Sequence, residues 1–122
     1  MRILEYPKVQ QIDADHWKLL EDLDYKVGNN DNEMVTVPAG TITDFASIPR
    51  IFWNIFPPFG KYSSASVIHD FLYSLQGKYE DRNYSRKKCD QIFLEAMQVM
   101  KVNWFTRHTM YRAVRMFGGF AW

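Results

Sequence analysis

The sequence lacks several features that define whole classes of protein. Its single cysteine, Cys89, cannot form an internal disulfide. No stretch approaches the roughly 20 apolar residues that a membrane-spanning helix needs, because prolines, Arg50 and Asn54 interrupt the apolar segment 48–59. The first residues also lack the apolar run of a secretory signal. These absences predict a domain without a transmembrane segment that works in a reducing cytoplasm.

The sequence also lacks a strong charge of either sign. Its formal net charge is +1 and its charged fraction is 24%. The chain therefore has no overall electrostatic field that would attract nucleic acid or an anionic membrane, and partners must be inferred from local sites. Three arginines on the last predicted helix (Arg107, Arg112 and Arg115) fit a solvated helix face better than a nucleic-acid stripe. We expect no nucleic-acid partner.

Hydrophobic and aromatic residues are abundant, at 47% and 16% of the 122 residues. A chain of this length can bury one core and has little material for a second. We therefore predict a single domain over residues 1–122. Its composition divides into a part with mainly strands and loops, residues 1–60, and a mainly helical part, residues 61–122.

The first part shows the alternation of a small antiparallel sheet. Residues 16–20, 23–27 and 33–37 have strand character, and the run Gly-Asn-Asn-Asp-Asn at 28–32 predicts a turn. The spacing indicates a hairpin or meander, and a polar and apolar loop follows over residues 41–50.

The second part has helical spacing three times. The first predicted helix begins at an N-cap, Ser63 or Ser64, and stops at Gly77. After a polar linker, residues 78–84, the second begins at the N-cap Ser85. The third covers residues 104–117, with Tyr111, Val114 and Phe117 inward, and ends at two glycines. The fold class is therefore α+β: a small N-terminal antiparallel sheet and three C-terminal helices.

The chemistry of the chain centres on the first two helices. His69 and Asp70 are consecutive and project about 100° apart, so one can act as a base while the other holds a metal. Tyr73 lies four residues after His69 on the same face. Asp90, among apolar positions of the second helix, needs polar partners such as an imidazole and a phenol. We predict His69, Asp90 and Tyr73 as catalytic residues, with His69 as general base toward water.

The same four side chains also fit a purely structural interpretation. A buried polar network can specify how two helices pack without catalysing a reaction. An enzyme requires His69 to face an open cleft, whereas a scaffold seals the group within the core.

The loop over residues 43–50 supplies a second set of candidates. Asp44 would provide a metal oxygen or orient Arg50, and the planar fork of Arg50 suits a phosphate or carboxylate. Ser47 lies between them. We assign Arg50 and Ser47 as substrate-binding candidates, and Asp44 with Asp70 as metal ligands. A turn stabilised by Asp44 or Ser47 and an Arg–Asp pair is the alternative.

Two motifs connect the chain to a known family: Thr-Asp-x-Ala-Ser-Ile-Pro-Arg at 43–50 and His-Asp-x-Leu-Tyr at 69–73. From Trp17 onward the sequence resembles an uncharacterised domain family, a domain of unknown function, common in tailed bacteriophages and prophages. The resemblance implies a phage origin and therefore a place in the host bacterial cytoplasm or the virion.

The two central helices, residues 69–73 and 85–97, are also similar to those of phospholipase A(2) enzymes. By this resemblance His69 would activate water and Asp90 would orient His69. Tyr73 would support Asp90 by a hydrogen bond, and Asp70 would bind calcium. The chain lacks the glycine-rich, cysteine-bearing calcium loop and the disulfides of those enzymes. A metal site here would therefore be built differently, with Asp44 as an extra oxygen ligand.

Two functions remain open at this point. The favoured one is a phage-encoded, phospholipase-like hydrolase with a His–Asp dyad, assisted by calcium or another divalent metal, acting on a lipid or a small ester or phosphate. The other is a non-enzymatic phage accessory or virion component that binds a host or phage protein, with a structural His/Asp cluster.

Overall fold

A computed structural model describes residues 6–13, 16–28, 33–43, 62–120 and 122 of the chain. Its element order is that of an α+β fold, because the strands of the N-terminal part precede three helices. The strands of the N-terminal part are β1 Val9–Gln11, β2 Trp17–Leu19, β3 Leu23–Lys26, β4 Met34–Val37 and β5 Ile42–Thr43. The helices are α1 Ser63–Ser74, α2 Arg86–Val99 and α3 Trp104–Phe117, and between α1 and α2 lie β6 Lys78–Tyr79 and β7 Arg82–Asn83. This arrangement confirms the predicted fold class.

The N-terminal strands form two antiparallel units within the described residues. One is a three-stranded sheet in the order β1-β2-β5, and the other is the hairpin β3-β4. In the hairpin Leu23 pairs with Val37 and Tyr25 with Val35, and all four side chains are buried. This alternation is what gives the hairpin one face toward the core.

The strands β1 and β5 were not predicted. They have three and two residues, too few to show alternation in sequence. Their positions follow from pairing with β2, since Gln11 pairs with Trp17 and Trp17 with Thr43. The polar linker over residues 78–84 likewise contains the β6-β7 hairpin, in which the guanidinium of Arg82 lies 4.8 Å from the ring centre of Tyr79.

The helix starts agree with the prediction in α2 and differ in α1. The Ser85 side chain accepts a hydrogen bond from the Lys88 backbone, as expected of an N-cap. In α1 the cap is Tyr62, without a side-chain capping bond, so Ser63 and Ser64 are already helical. Tyr62 already has right-handed helical dihedrals, φ −92° and ψ −1°, so the backbone enters the helix before the two serines, whose side chains are buried. Helix α3 has the predicted bounds.

One continuous core joins the β3-β4 hairpin to the three helices. Helix α2 lies between α1 and α3, and its buried face consists of the side chains of Cys89, Asp90, Ile92, Phe93, Ala96 and Met97. The inward face of α3 carries Val114 as predicted, together with Met110 and Ala113, while Tyr111 is half-buried. The Phe117 side chain lies outside the description. Among the described residues, no helix has the length and apolar character to cross a bilayer.

Candidate functional site

The candidate site lies where helix α1 packs against helix α2. His69 and Tyr73 are four residues apart on α1, so their rings share one face, with centroids 4.1 Å apart and an interplanar angle of 39°. The Phe93 ring of α2 lies 4.8 Å from the His69 ring. His69 is 2% exposed and Tyr73 6%. Both polar side chains therefore require partners inside the protein.

Asp90 of α2 is the partner of both, as the sequence predicted. His69 Nε2 lies 2.7 Å from Asp90 Oδ1, and the Tyr73 hydroxyl donates to the same oxygen over 2.5 Å. Asp90 itself is 0% exposed. Because the ionised carboxylate only accepts hydrogen bonds, its bond to Nε2 places the imidazole proton on that atom in the neutral ring. Nδ1 is then the ring nitrogen with proton-accepting character.

The second oxygen of Asp90 has a partner that sequence reasoning did not select. Arg115, in the last turn of α3, donates from Nη1 to Asp90 Oδ2 over 2.7 Å. The Arg115 side chain remains 32% exposed. Asp90 thus joins all three helices, with two donors from α1 and one from α3. We name this group of four side chains (His69, Tyr73, Asp90 and Arg115) the Asp90 network.

A further arginine supports the α3 end of this network. Arg86, in the first turn of α2, donates from Nη2 to the backbone oxygens of Val114 and Arg115, over 2.9 and 2.7 Å. The last carbonyls of a helix carry partial negative charge, so a cation is favourable there, and the Val114 oxygen accepts from Arg86 in addition to the Gly118 backbone N–H. Arg86 therefore fixes the segment that carries Arg115.

The electrostatics of the network follow from its hydrogen bonds. Burial alone would raise the pKa of the Asp90 carboxyl, but the bonds from His69, Tyr73 and Arg115 together outweigh burial and hold the pKa below its usual value. For Tyr73, burial and then the bond to Asp90 raise the pKa of the phenol well above its ordinary value. Asp90 is accordingly an anion and Tyr73 a neutral donor near neutral pH.

Asp70 points to a different neighbour, as expected for the residue after His69. It is half-buried, and its Oδ2 accepts a hydrogen bond from the Thr43 hydroxyl of β5 over 2.8 Å. The bond ties α1 to the end of the three-stranded sheet. Asp70 is therefore close to the start of the predicted loop, although it does not belong to the Asp90 network.

The other predicted site residues, Asp44, Ser47 and Arg50, lie outside the described residues. Within the described ranges no group of three His, Cys, Asp or Glu side chains is arranged to hold a metal ion. Calcium prefers six to eight oxygen ligands. Asp70 and the Thr43 hydroxyl supply only part of such a set, so the described residues do not by themselves form a calcium site.

Comparisons with known proteins identify relatives without an assigned activity. Residues 17–114 match the model of a family described as "Protein of unknown function (DUF1353)". "Uncharacterized protein y4jT" of Sinorhizobium fredii (strain NBRC 101917 / NGR234) is 35% identical over 115 residues, which are 92% of this chain and 32% of that protein. The chain thus spans about a third of the length of this curated relative. No solved structure matches the chain.

Proposed function

This chain belongs to the DUF1353 family, and from the geometry of its site we propose that it is a hydrolase in which His69 is the general base. The observation that carries the proposal is the short contact between His69 Nε2 and Asp90 Oδ1, 2.7 Å, with Tyr73 on the same oxygen. This arrangement fixes one tautomer and one orientation of the imidazole. Such a histidine is suited to withdrawing a proton from water.

In the proposed reaction, a water molecule loses a proton to His69 Nδ1 while its oxygen attacks a carbonyl carbon or phosphorus. Because His69 is 2% exposed, this reaction requires an opening that admits water and substrate to the imidazole. The bond to the leaving group then breaks, and the imidazolium returns its proton to the departing oxygen or nitrogen. Asp90 keeps the ring in place throughout, and the Tyr73 hydroxyl holds Asp90. The substrate class is an ester, including a phospholipid ester, an amide or a phosphate ester.

A matched variant separates chemistry from folding. Glutamine at position 69 places an amide N–H near the position of Nε2, so His69→Gln keeps a donor to Asp90 but has no proton acceptor at Nδ1. Activity is measured on 4-nitrophenyl esters, 4-nitrophenyl phosphates and phosphatidylglycerol. We expect hydrolysis by the wild type and a loss of about 100-fold or more in the folded variant. Hydrolysis that persists in the variant would contradict the role of His69.

A divalent metal, calcium in the phospholipase-like version, enters the proposal through Asp70. The ion would be held by Asp70 with Asp44 as a second carboxylate, and it would polarise the substrate oxygen. Calorimetric titration with calcium and transition metals, comparing the wild type with Asp70→Asn, tests this part. Binding that is lost in the variant supports it, and no binding to the wild type rejects the calcium version while leaving the His69 proposal to its own test.

The second candidate function is a non-enzymatic component that binds a host or phage protein. The observation in its favour is burial, since His69 is 2% exposed and both oxygens of Asp90 are occupied by donors. In this case none of the substrates is hydrolysed. His69→Ala lowers the free energy of unfolding by about 2–5 kcal/mol through a lost hydrogen bond and a cavity in either case, so hydrolysis is the measurement that separates the two functions.

The origin of the chain is part of the same proposal. We infer a gene from a tailed phage or prophage and action in the bacterial cytoplasm or the virion. Structural, lysis or packaging genes beside the coding sequence would support this origin, and a neighbourhood without phage genes would count against it.

A further inference from the structure

The outward face of helix α3 carries large apolar side chains. Trp104, Phe105 and Met116 are 61%, 69% and 71% exposed. A surface helix normally turns such residues toward the core and polar ones toward water. Helix α3 already has an apolar inward face, formed by Met110, Ala113 and Val114. The exposed set is therefore a second apolar surface on the same helix.

Helical spacing gathers these residues into one patch. At 3.6 residues per turn, Phe105, Arg112 and Met116 project in nearly the same direction. Trp104 and His108 lie beside them, and their rings contact each other at a centroid distance of 4.6 Å. We name this set (Trp104, Phe105, His108, Arg112 and Met116) the α3 outer face. Large apolar side chains that share one exposed helix face mark an interaction site more often than scattered exposed residues do.

The charged residues of helix α3 and of the turn before it have one sign. All 14 acidic residues of the chain lie at or before Glu95, whereas four basic residues follow it. Two of the four have partners, since Arg107 donates to the Val102 backbone oxygen and Arg115 to Asp90. The other two, Lys101 in the preceding turn and Arg112 on the helix, are exposed. The face therefore combines aromatic surface with positive charge and no acidic residue on the helix.

We propose that the α3 outer face binds the surface of a bilayer with anionic lipid headgroups. Trp, Phe and Met would enter the boundary between headgroups and acyl chains, where aromatic rings are favoured, and Lys101 and Arg112 would contact lipid phosphates. Helices that lie in a membrane surface combine these features. Protein–protein interfaces are also enriched in aromatic residues, Met and Arg, so the choice of a bilayer rests on the exposed cations and on the absence of acidic residues from the helix. The proposal does not depend on the hydrolase activity.

The test is co-sedimentation of the 122-residue chain with vesicles. The wild type is expected to bind vesicles of phosphatidylcholine with phosphatidylglycerol, to bind pure phosphatidylcholine weakly, and to be released by salt. Phe105→Ser is expected to lower the vesicle affinity about tenfold. Arg112→Glu replaces a favourable charge by an unfavourable one and lowers it by about fivefold or more.

Matched controls come from the strand-rich part of the chain. Leu20 and Ile42 are 51% and 56% exposed, and their change to serine removes comparable apolar surface elsewhere. Both variants are expected to bind vesicles like the wild type, with circular dichroism confirming the fold of each. Absence of wild-type binding to anionic vesicles at low salt overturns the proposal, as does binding that Phe105→Ser leaves unchanged. If the wild type does not bind vesicles but forms a dimer that Phe105→Ser disrupts, the α3 outer face binds a second copy of the chain, and the membrane proposal is also overturned.

Discussion

Replacing Asp90 with asparagine tests how strongly the Asp90 network holds the three helices together. The side chain is 0% exposed and accepts hydrogen bonds from His69, Tyr73 and Arg115. Asparagine has nearly the same size, so the change creates no cavity. What changes is the charge, together with the conversion of one acceptor oxygen into an NH₂ donor.

The size of the destabilisation by Asp90→Asn depends on which hydrogen-bond donors lose their acceptor. If the NH₂ group takes the Oδ2 position, it faces the Arg115 guanidinium, and if it takes Oδ1, it faces both His69 and Tyr73. Removing one partner of a buried ion pair costs about 3–5 kcal/mol. Because the Arg115 side chain is 32% exposed, water compensates part of that loss. We expect Asp90→Asn to lower the free energy of unfolding by about 3 kcal/mol.

Urea unfolding followed by circular dichroism measures this difference. With a urea dependence of about 1.5 kcal/mol per M, typical of small proteins, the midpoint should fall by about 2 M at neutral pH. Asp81→Asn, at an exposed position of the β6-β7 hairpin, is the control and should stay within about 0.5 kcal/mol of the wild type. A midpoint for Asp90→Asn equal to that of Asp81→Asn would refute the reasoning.

The contribution of Asp90 to stability should also depend on pH in a definite direction. The folded protein holds the pKa of Asp90 below its usual value, so the unfolded chain binds the proton more readily. The stabilisation by Asp90 is therefore complete above the ordinary aspartate pKa of about 3.9 and is lost as the pH falls through the lower folded value. The difference between the wild type and Asp90→Asn should narrow below about pH 4, and a constant difference there would contradict the assigned shift.

Three further predictions concern single residues. Gly77→Ala should abolish or severely weaken folding, because the residue has φ +78° and its Cβ would lie 1.8 Å from the Tyr84 backbone oxygen. Gly28→Ala is the control: the residue has φ +62° and nothing lies within 4 Å of its Cβ, so the change should lower stability in thermal unfolding by only about 1 kcal/mol. Ser85→Ala should cost about 1 kcal/mol in urea unfolding through loss of the α2 cap, and an unchanged midpoint would exclude that contribution. Burial raises the pKa of the Cys89 thiol to about 12, so a thiol reagent should react at mildly alkaline pH only after unfolding; rapid reaction of the native protein would contradict this.

The sequence contained enough local information to predict helices α2 and α3 closely. Ser85 offers a side-chain oxygen to the first turn of α2, and two glycines follow Phe117. These signals act within a few residues and do not depend on the rest of the fold. The start of α1 was less predictable, because its serines are buried in the core instead of serving as caps.

Part of the Asp90 network was also predictable. His69 and Tyr73 share a helix face by their spacing, and a carboxylate among apolar residues of the next helix requires donors. Arg115 was not distinguishable from Arg107 and Arg112, because which arginine reaches Asp90 depends on how α3 packs against α2. Helical spacing within α3 contains no information about that packing. The hydrogen bond between Thr43 and Asp70 could not be predicted from the sequence for the same reason, since it joins a two-residue strand to a helix.

Arg115 also changes what Asp90 can contribute to any chemistry at His69. A lone buried aspartate would stabilise a protonated imidazole strongly through its negative charge. Here the carboxylate is already paired with a guanidinium, 2.7 Å away on its other oxygen, so protonation of His69 would leave a net positive charge among three helices. Asp90 is therefore better suited to fixing the tautomer and orientation of His69 than to stabilising its charge. A hydrolase built on this network would need the remaining stabilisation from the developing negative charge of its substrate.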